Sequence, residues 1–207
     1  MASLTALPAN FALGLQLIDD AHAEDPRTTL NEDGNTKPYE LHYACKMTKW
    51  LAARCPDASP SLQLACRAQH FRRWEIPRNS YPMTRPGYLT WRAKQKAQAA
   101  SQIAELLASS SISPALPQEE IDRVAALIRK EDLKSNEETQ VLEDVACLVF
   151  LDDQFDDFEK KEDIDEEKIT SILRKTWAKM SSKGQELALA MDHSDRAKTL
   201  IGKALAQ

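Results

Sequence analysis

The residues best suited to chemistry crowd into one stretch of the chain. Between Arg67 and Lys96 stand eight basic residues (Arg67, Arg72, Arg73, Arg78, Arg85, Arg92, Lys94 and Lys96) and a single acid, Glu75. Phe71, Trp74, Tyr81, Tyr88 and Trp91 share the span. Arginine presents a planar fork of donors that matches phosphate, sulfate or carboxylate, and it stacks on aromatic faces. Pro77, Pro82 and Pro86 exclude a helix from about 75–86, and a rigid loop can aim several forks at one anion without a large ordering cost. His70, Arg73 and Trp74 are three and four residues apart, so one helical face can present all three. The same arginines could instead bridge the loop to an acidic helix over 136–158 through ion pairs, and the sequence leaves both arrangements open.

The acids are as unevenly placed as the bases. Between Glu131 and Glu167 there are 16 acids and three lysines, so the formal net charge of −5 hides a dipolar sequence. Glu143 and Asp144 are neighbours in a very apolar run, so at most one should face the core. A buried acid there needs a cationic partner. The arginine-rich loop is the natural supplier, and Lys130 and Lys175 can add to the same pocket. The run over 152–167 lacks the central glycine of a calcium loop and reads as a solvated helix end.

The elements that must position these residues are helical. Apolar residues at helical spacing predict helices over 9–23, from Pro38 through Leu51, and from Ser59-Pro60 to about Trp74. A long helix follows over about 87–109, and another starts at Pro117. Ser135-Asn-Glu-Glu138 has the capping-box pattern and opens a helix to about Phe158, apolar on nearly all sides and therefore central. Asp165–Met180 reads as a helix, with one or two short helices after it. Residues 24–38 read as a loop. No stretch alternates with period two, and no repeat appears. The expectation is an all-α, single-domain helical bundle of about eight helices spanning 1–207.

Composition excludes several classes. Hydrophobic residues make up 43%, enough for a core, and five glycines in 207 residues argue against an all-β barrel or sandwich. The longest apolar run, Ala146–Leu151, is too short to span a bilayer. Met1-Ala-Ser-Leu-Thr lacks the positive region that opens a secretory signal, so a cytoplasmic protein with reduced cysteines is expected. A nucleic-acid groove is disfavoured, because the protein is acidic overall and carries no recognition motif.

Four strings together resemble a known family. They are Gln69-His-Phe-Arg-Arg-Trp-Glu-Ile-Pro-Arg78, Arg85-Pro-Gly-Tyr-Leu-Thr-Trp-Arg92, Leu142-Glu-Asp-Val-Ala-Cys-Leu-Val-Phe-Leu151 and Arg174-Lys-Thr-Trp-Ala-Lys-Met-Ser181. The family is a bacterial and fungal one, catalogued as a domain of unknown function, whose fungal members often carry the label glutamyl-tRNA synthetase. Lys179-Met-Ser-Ser-Lys183 is similar to the lysine loop of class I synthetases. That motif works only beside a nucleotide-binding parallel sheet, for which the sequence has no strand pattern and no Gly-rich turn. The synthetase label is therefore not adopted as a molecular function.

The chain is also similar to the HD-type metal phosphohydrolases. That resemblance implies an HD-like helical fold and a divalent metal held by His42, His70 and Asp144, although Phe71 stands where the aspartate of the His-Asp pair belongs. The combined expectation is a hydrolase-like protein acting on a small phosphate- or sulfate-bearing, nucleotide-like molecule. His70, Glu143 and Asp144 would be catalytic, and Arg73, Trp74, Arg78, Arg85, Arg92, Lys130 and Lys175 would bind substrate. The alternative is a binding or regulatory module that senses an anionic metabolite without chemistry.

Overall fold

A computed structural model describes residues 3–30, 34–155 and 165–206. It is an all-α molecule, with nine α-helices among the described residues and one small hairpin. They are α1 (Ala9–His22), α2 (Tyr39–Arg54), α3 (Pro60–Arg67), α4 (Arg85–Leu107), α5 (Gln118–Arg129), α6 (Glu137–Val149), α7 (Glu166–Trp177), α8 (Ser182–Leu189) and α9 (Asp195–Leu205). No described helix is long and apolar enough to cross a membrane.

Helix α6 organises the packing. Val141, Leu142, Val145 and Val149 enter one apolar core with residues of α1 to α5. Cys147, Leu148, Leu151 and Phe155 enter a second core with α7, α8 and α9. A helix that serves two cores must be apolar on most of its circumference, which is why the run 145–151 carries no acid. After Val149 the helix widens into a π turn over Phe150–Gln154.

Several boundaries differ from the sequence reading, each for a local reason. Residues 24–38 are not all loop: β1 (Thr28–Leu30) pairs antiparallel with β2 (Thr36–Pro38), with Thr29 opposite Lys37. The strands have three residues each, too few for an alternating pattern to register. Helix α3 stops at Arg67 rather than near Trp74: Ala68 leaves helical geometry at φ −88° and ψ 9°, and the left-handed Arg72 at φ 46° bars a helix from resuming before Trp74. Asn136, not Ser135, caps α6 by accepting from the Thr139 amide at 3.1 Å. Glu138 cannot close a capping box, since Arg123 and the Ser59 hydroxyl hold its carboxylate.

The Pro-rich loop is ordered, as two single turns at Arg73–Glu75 and Arg78–Ser80. It lies so close to α4 that a Cβ on Gly87 would sit 2.2 Å from the Pro82 carbonyl oxygen. Thr84 caps α4 through the Gly87 amide at 3.3 Å.

Asp144 is fully buried in a closed polar network. Its carboxylate accepts from Arg54 Nε at 2.8 Å, the Ser181 amide at 2.8 Å, the Ser181 hydroxyl at 2.5 Å and Gln140 Nε2 at 2.9 Å. Ser181 is the N-cap of α8, so the synthetase-like string Lys179–Lys183 is a helix start tied to α6. Removing one partner of a buried pair leaves the other charge uncompensated, at a cost of about 3–5 kcal/mol. Asp144→Ala should therefore lower the urea unfolding free energy by about that amount; a loss below about 0.5 kcal/mol, the size of an ordinary surface change, would refute the structural role assigned to it.

Candidate functional site

The basic segment, α2, the hairpin and α6 enclose a cleft of about 1050 Å³. Its inner end is built around one turn of chain. Glu40, in the first turn of α2 and only 1% exposed, accepts from the backbone amides of Arg72 at 2.9 Å and Arg73 at 2.6 Å. Behind it, His22 Nε2 donates to the Arg67 carbonyl at 2.9 Å, and His22 Nδ1 lies 3.1 Å from Glu40 Oε2, so that the pair shares a proton. Burial pushes the Glu40 carboxyl up, and the contacts with His22 and the Arg73 amide offset this only partly.

This turn throws His70 and Arg73 into the cleft together. The His70 ring stacks on Tyr43 of α2, with centroids 4.0 Å apart and planes at 18°. Arg73 Nη1 lies 2.9 Å from His70 Nε2. A guanidinium has no acceptor, so Nε2 must offer its lone pair and the proton must sit on Nδ1. His70 is thus a neutral ring with one N–H to spare. Burial, then the charges of Arg73, Arg92 and Lys130, hold its pKa well below the ordinary histidine value.

Arg73 also lies over the Trp91 ring, 4.9 Å from its centroid, and the Trp91 indole N–H is fixed on the Ile76 carbonyl at 2.9 Å. Burial, then the neighbouring charge of Arg92, lower the Arg73 pKa from its ordinary value. Among the described residues neither Arg73 nor Arg92 has an ion-pair partner. Across the cleft Lys130 bonds Glu143, and Lys179 Nζ stands 3.6 Å from the same carboxylate. Burial pushes Glu143 up, but Lys130, Lys179 and Arg92 outweigh it and keep the carboxyl below its ordinary value.

His42 also lines the cleft, and its Nε2 is 2.6 Å from Asp153 Oδ1 on the π turn. Trp50 Nε1 donates to the adjacent Asp152 at 3.0 Å, and Lys46 Nζ is 3.5 Å from it. His42, Lys46 and Trp50 are spaced by four on α2, so one helical stripe anchors the turn.

The structure divides the expected site residues sharply. His42, His70, Arg73, Trp74, Arg78, Arg92, Lys130 and Glu143 line the cleft. Arg85 and Lys175 are exposed and do not line it, and Asp144 is locked on the far side of α6 with Arg54. Arg78 spends its donors on the Tyr81 and Pro82 carbonyls at 3.0 and 2.9 Å, so it pins the loop. Arg67 is bidentate on Asp19 at 2.6 and 2.8 Å, and Arg72 reaches Glu24 at 3.0 Å. The arginine cluster is thus part ion-pair scaffold and part unpaired.

The metal set implied by the HD resemblance is not assembled. Asp144 has both oxygens occupied, His70 Nε2 is capped by a cation and His42 Nε2 by Asp153. Among the described residues no three His, Cys, Asp or Glu side chains are grouped so as to hold a metal ion. These residues do not fit that donor set, and no step below runs through a metal.

Sequence reasoning missed Glu40, Gln69, Lys179 and Asp153 as site residues. Glu40 is an acid in a first helical turn, where acids are ordinarily favoured, so the sequence does not single it out. Asp153 fell within the acidic run read as a solvated helix end; the residues 156–164 of that run lie outside the described residues. The spacing of His42, Lys46 and Trp50 was the available signal for its partner. Gln69 is 8% exposed, and its Oε1 is buried without a hydrogen-bond partner among the described residues.

A neutral His70 has a spectroscopic signature. Nitrogen-resolved NMR should find it as the Nδ1–H tautomer from pH 8 down to pH 5. Because the unfolded chain takes up a proton below about 6.5 that the folded ring refuses, His70 makes stability fall as pH drops through that value. A ring that titrates near 6.5 would contradict the Arg73–His70 geometry.

A family model described as a domain of unknown function (DUF4202) matches residues 12–201. No curated protein and no solved structure matches the chain.

Proposed function

Because the chain belongs to the DUF4202 family, whose description carries no activity, we propose its function from the cleft alone: it binds a small molecule through a phosphate or sulfate group. The observation that carries this reading is the pair Arg73 and Arg92, two guanidinium groups that line one cleft without an ion-pair partner among the described residues. Burying one such charge beside another is unfavourable, and a bound oxyanion removes the cost. Lys130 adds a third cation, with one of its protons on Glu143. The rest of the cleft, with Trp74, Tyr88 and Trp91 in its walls, leaves room for an organic body.

A second reading, hydrolysis of the bound ester, draws on the His42–Asp153 pair. With Nε2–H donated to Asp153, Nδ1 keeps its lone pair, which is how an oriented base is arranged. In this reading Nδ1 takes a proton from water as the water oxygen bonds to phosphorus. The P–O ester bond breaks, the leaving alkoxide takes a proton from solvent, and His42 returns its own to bulk.

Thermal melting with millimolar inorganic phosphate tests the first reading. Charge-assisted hydrogen bonds contribute about 1.5–3 kcal/mol each, so Arg73→Ala and Arg92→Ala should each weaken phosphate binding by roughly 10- to 100-fold. The melting shift of the unaltered protein should vanish in both variants at the same concentration. No shift in the unaltered protein, or full shifts in both variants, would remove the binding reading. For the second reading, release of p-nitrophenolate from p-nitrophenyl phosphate should fall at least about 100-fold in His42→Ala while the phosphate-induced shift persists. Turnover unchanged in that variant would leave binding alone.

A further inference from the structure

Resting on that binding reading, we infer that the ligand is a phosphomonoester taken up as its dianion, in preference to a sulfate ester or a phosphodiester. The groups that face the cleft near Arg73 are donors. His70 offers Nδ1–H, because its other nitrogen already accepts from Arg73 at 2.9 Å. Tyr43 stacks on His70 and is kept as a neutral phenol, its pKa raised by burial. Arg73 and Arg92 supply guanidinium N–H groups and Lys130 an ammonium.

The carboxylates that line the cleft are already engaged. Glu143 is held by Lys130 and Lys179, Asp153 by His42, and Glu40 by His22 and two backbone amides. Among the described residues the Gln69 amide oxygen is a buried acceptor without a partner, and a half-turn of that amide replaces it with two donors. A lining of donors accepts an oxyanion that brings only lone pairs. A protonated phosphate would set its own O–H against donors. A diester loses one terminal oxygen, and a sulfate ester carries one charge where the dianion carries two.

Two guanidiniums without an ion-pair partner among the described residues, and a third cation, favour the second charge, since the attraction between a cation and an anion scales with charge and is strengthened away from bulk water. The cleft volume of about 1050 Å³ exceeds the need of an inorganic ion, which points to an ester with an organic body.

Several other charged groups surround the site: His22 and Glu40 behind the turn, Lys96 on α4, Glu143 on α6, Lys179 beyond α7, and the His42–Asp153 pair. Any of them that gains a proton towards pH 5.0 makes the site more positive and strengthens the binding of every anion, a dianion most, so it does not produce a fall in the phosphate-to-sulfate ratio. The control is therefore a ligand of constant charge.

Isothermal titration of the full chain with phenyl phosphate, phenyl sulfate and methyl phenyl phosphate at pH 7.5 and pH 5.0 separates the possibilities. At pH 7.5 phenyl phosphate should bind at least about tenfold more tightly than the two monoanions. Its second pKa lies near 6, so the dianion is almost complete at pH 7.5 and about one-tenth of the total at pH 5.0. The ratio of phosphate to sulfate affinity should therefore fall about five- to tenfold between the two pH values. Equal affinities at pH 7.5, or a ratio that stays constant or rises towards pH 5.0, would overturn the dianion inference and leave the oxyanion reading standing. Absence of binding by all three probes would overturn both.

Discussion

The candidate site depends on where one carboxylate is spent. Glu40, buried together with His22, gives its oxygens to that ring and to the backbone amides of Arg72 and Arg73. Those contacts hold Arg72 in a left-handed conformation, which costs a non-glycine residue about a kilocalorie per mole or more. They also fix the turn of chain after α3 and carry His70 and Arg73 to the cleft side. The acid nearest the Arg73 backbone is thereby consumed by that backbone, and the Arg73 guanidinium is left with a neutral imidazole and an indole face. A cation in the wall of a large cleft, without an ion-pair partner among the described residues, is the consequence of this one capping interaction.

The opposite arrangement holds one residue away from Glu143. Asp144 collects four hydrogen bonds and joins α6 to α2 and to the start of α8. Gly184 is tight against it, since a Cβ there would lie 2.8 Å from the Asp144 carboxyl carbon. Adjacent positions on a helix point about 100° apart, so α6 can turn Glu143 to the cleft and Asp144 to the scaffold. The same helix thus separates a closed network that holds the fold from an open one with unmet cationic charge.

Periodicity made the helices legible, and the central place of α6 followed from its all-round apolarity. The basic segment was legible as a place to look, because eight bases and five aromatics in thirty residues are a compositional signal. Its internal division was not. Arg67 and Arg73 are alike in sequence, yet Asp19 neutralises the first and no described carboxylate reaches the second. That difference arises from contacts between residues 48 apart in one case and 33 apart in the other, which local pattern does not carry. The hairpin escaped notice because three-residue strands have no measurable alternation. The His42–Asp153 pair, 111 residues apart, escaped for the same reason as the arginine partners.

A crystal of the protein soaked in tungstate, a heavy stand-in for a doubly charged tetrahedral oxyanion, tests the central assignment most directly. Anomalous scattering should place one dominant tungsten peak between the Arg73 and Arg92 guanidiniums, with His70 Nδ1 within hydrogen-bond distance of a tungstate oxygen. A cleft without a peak, or with both guanidiniums turned onto carboxylates of the chain, would contradict the account.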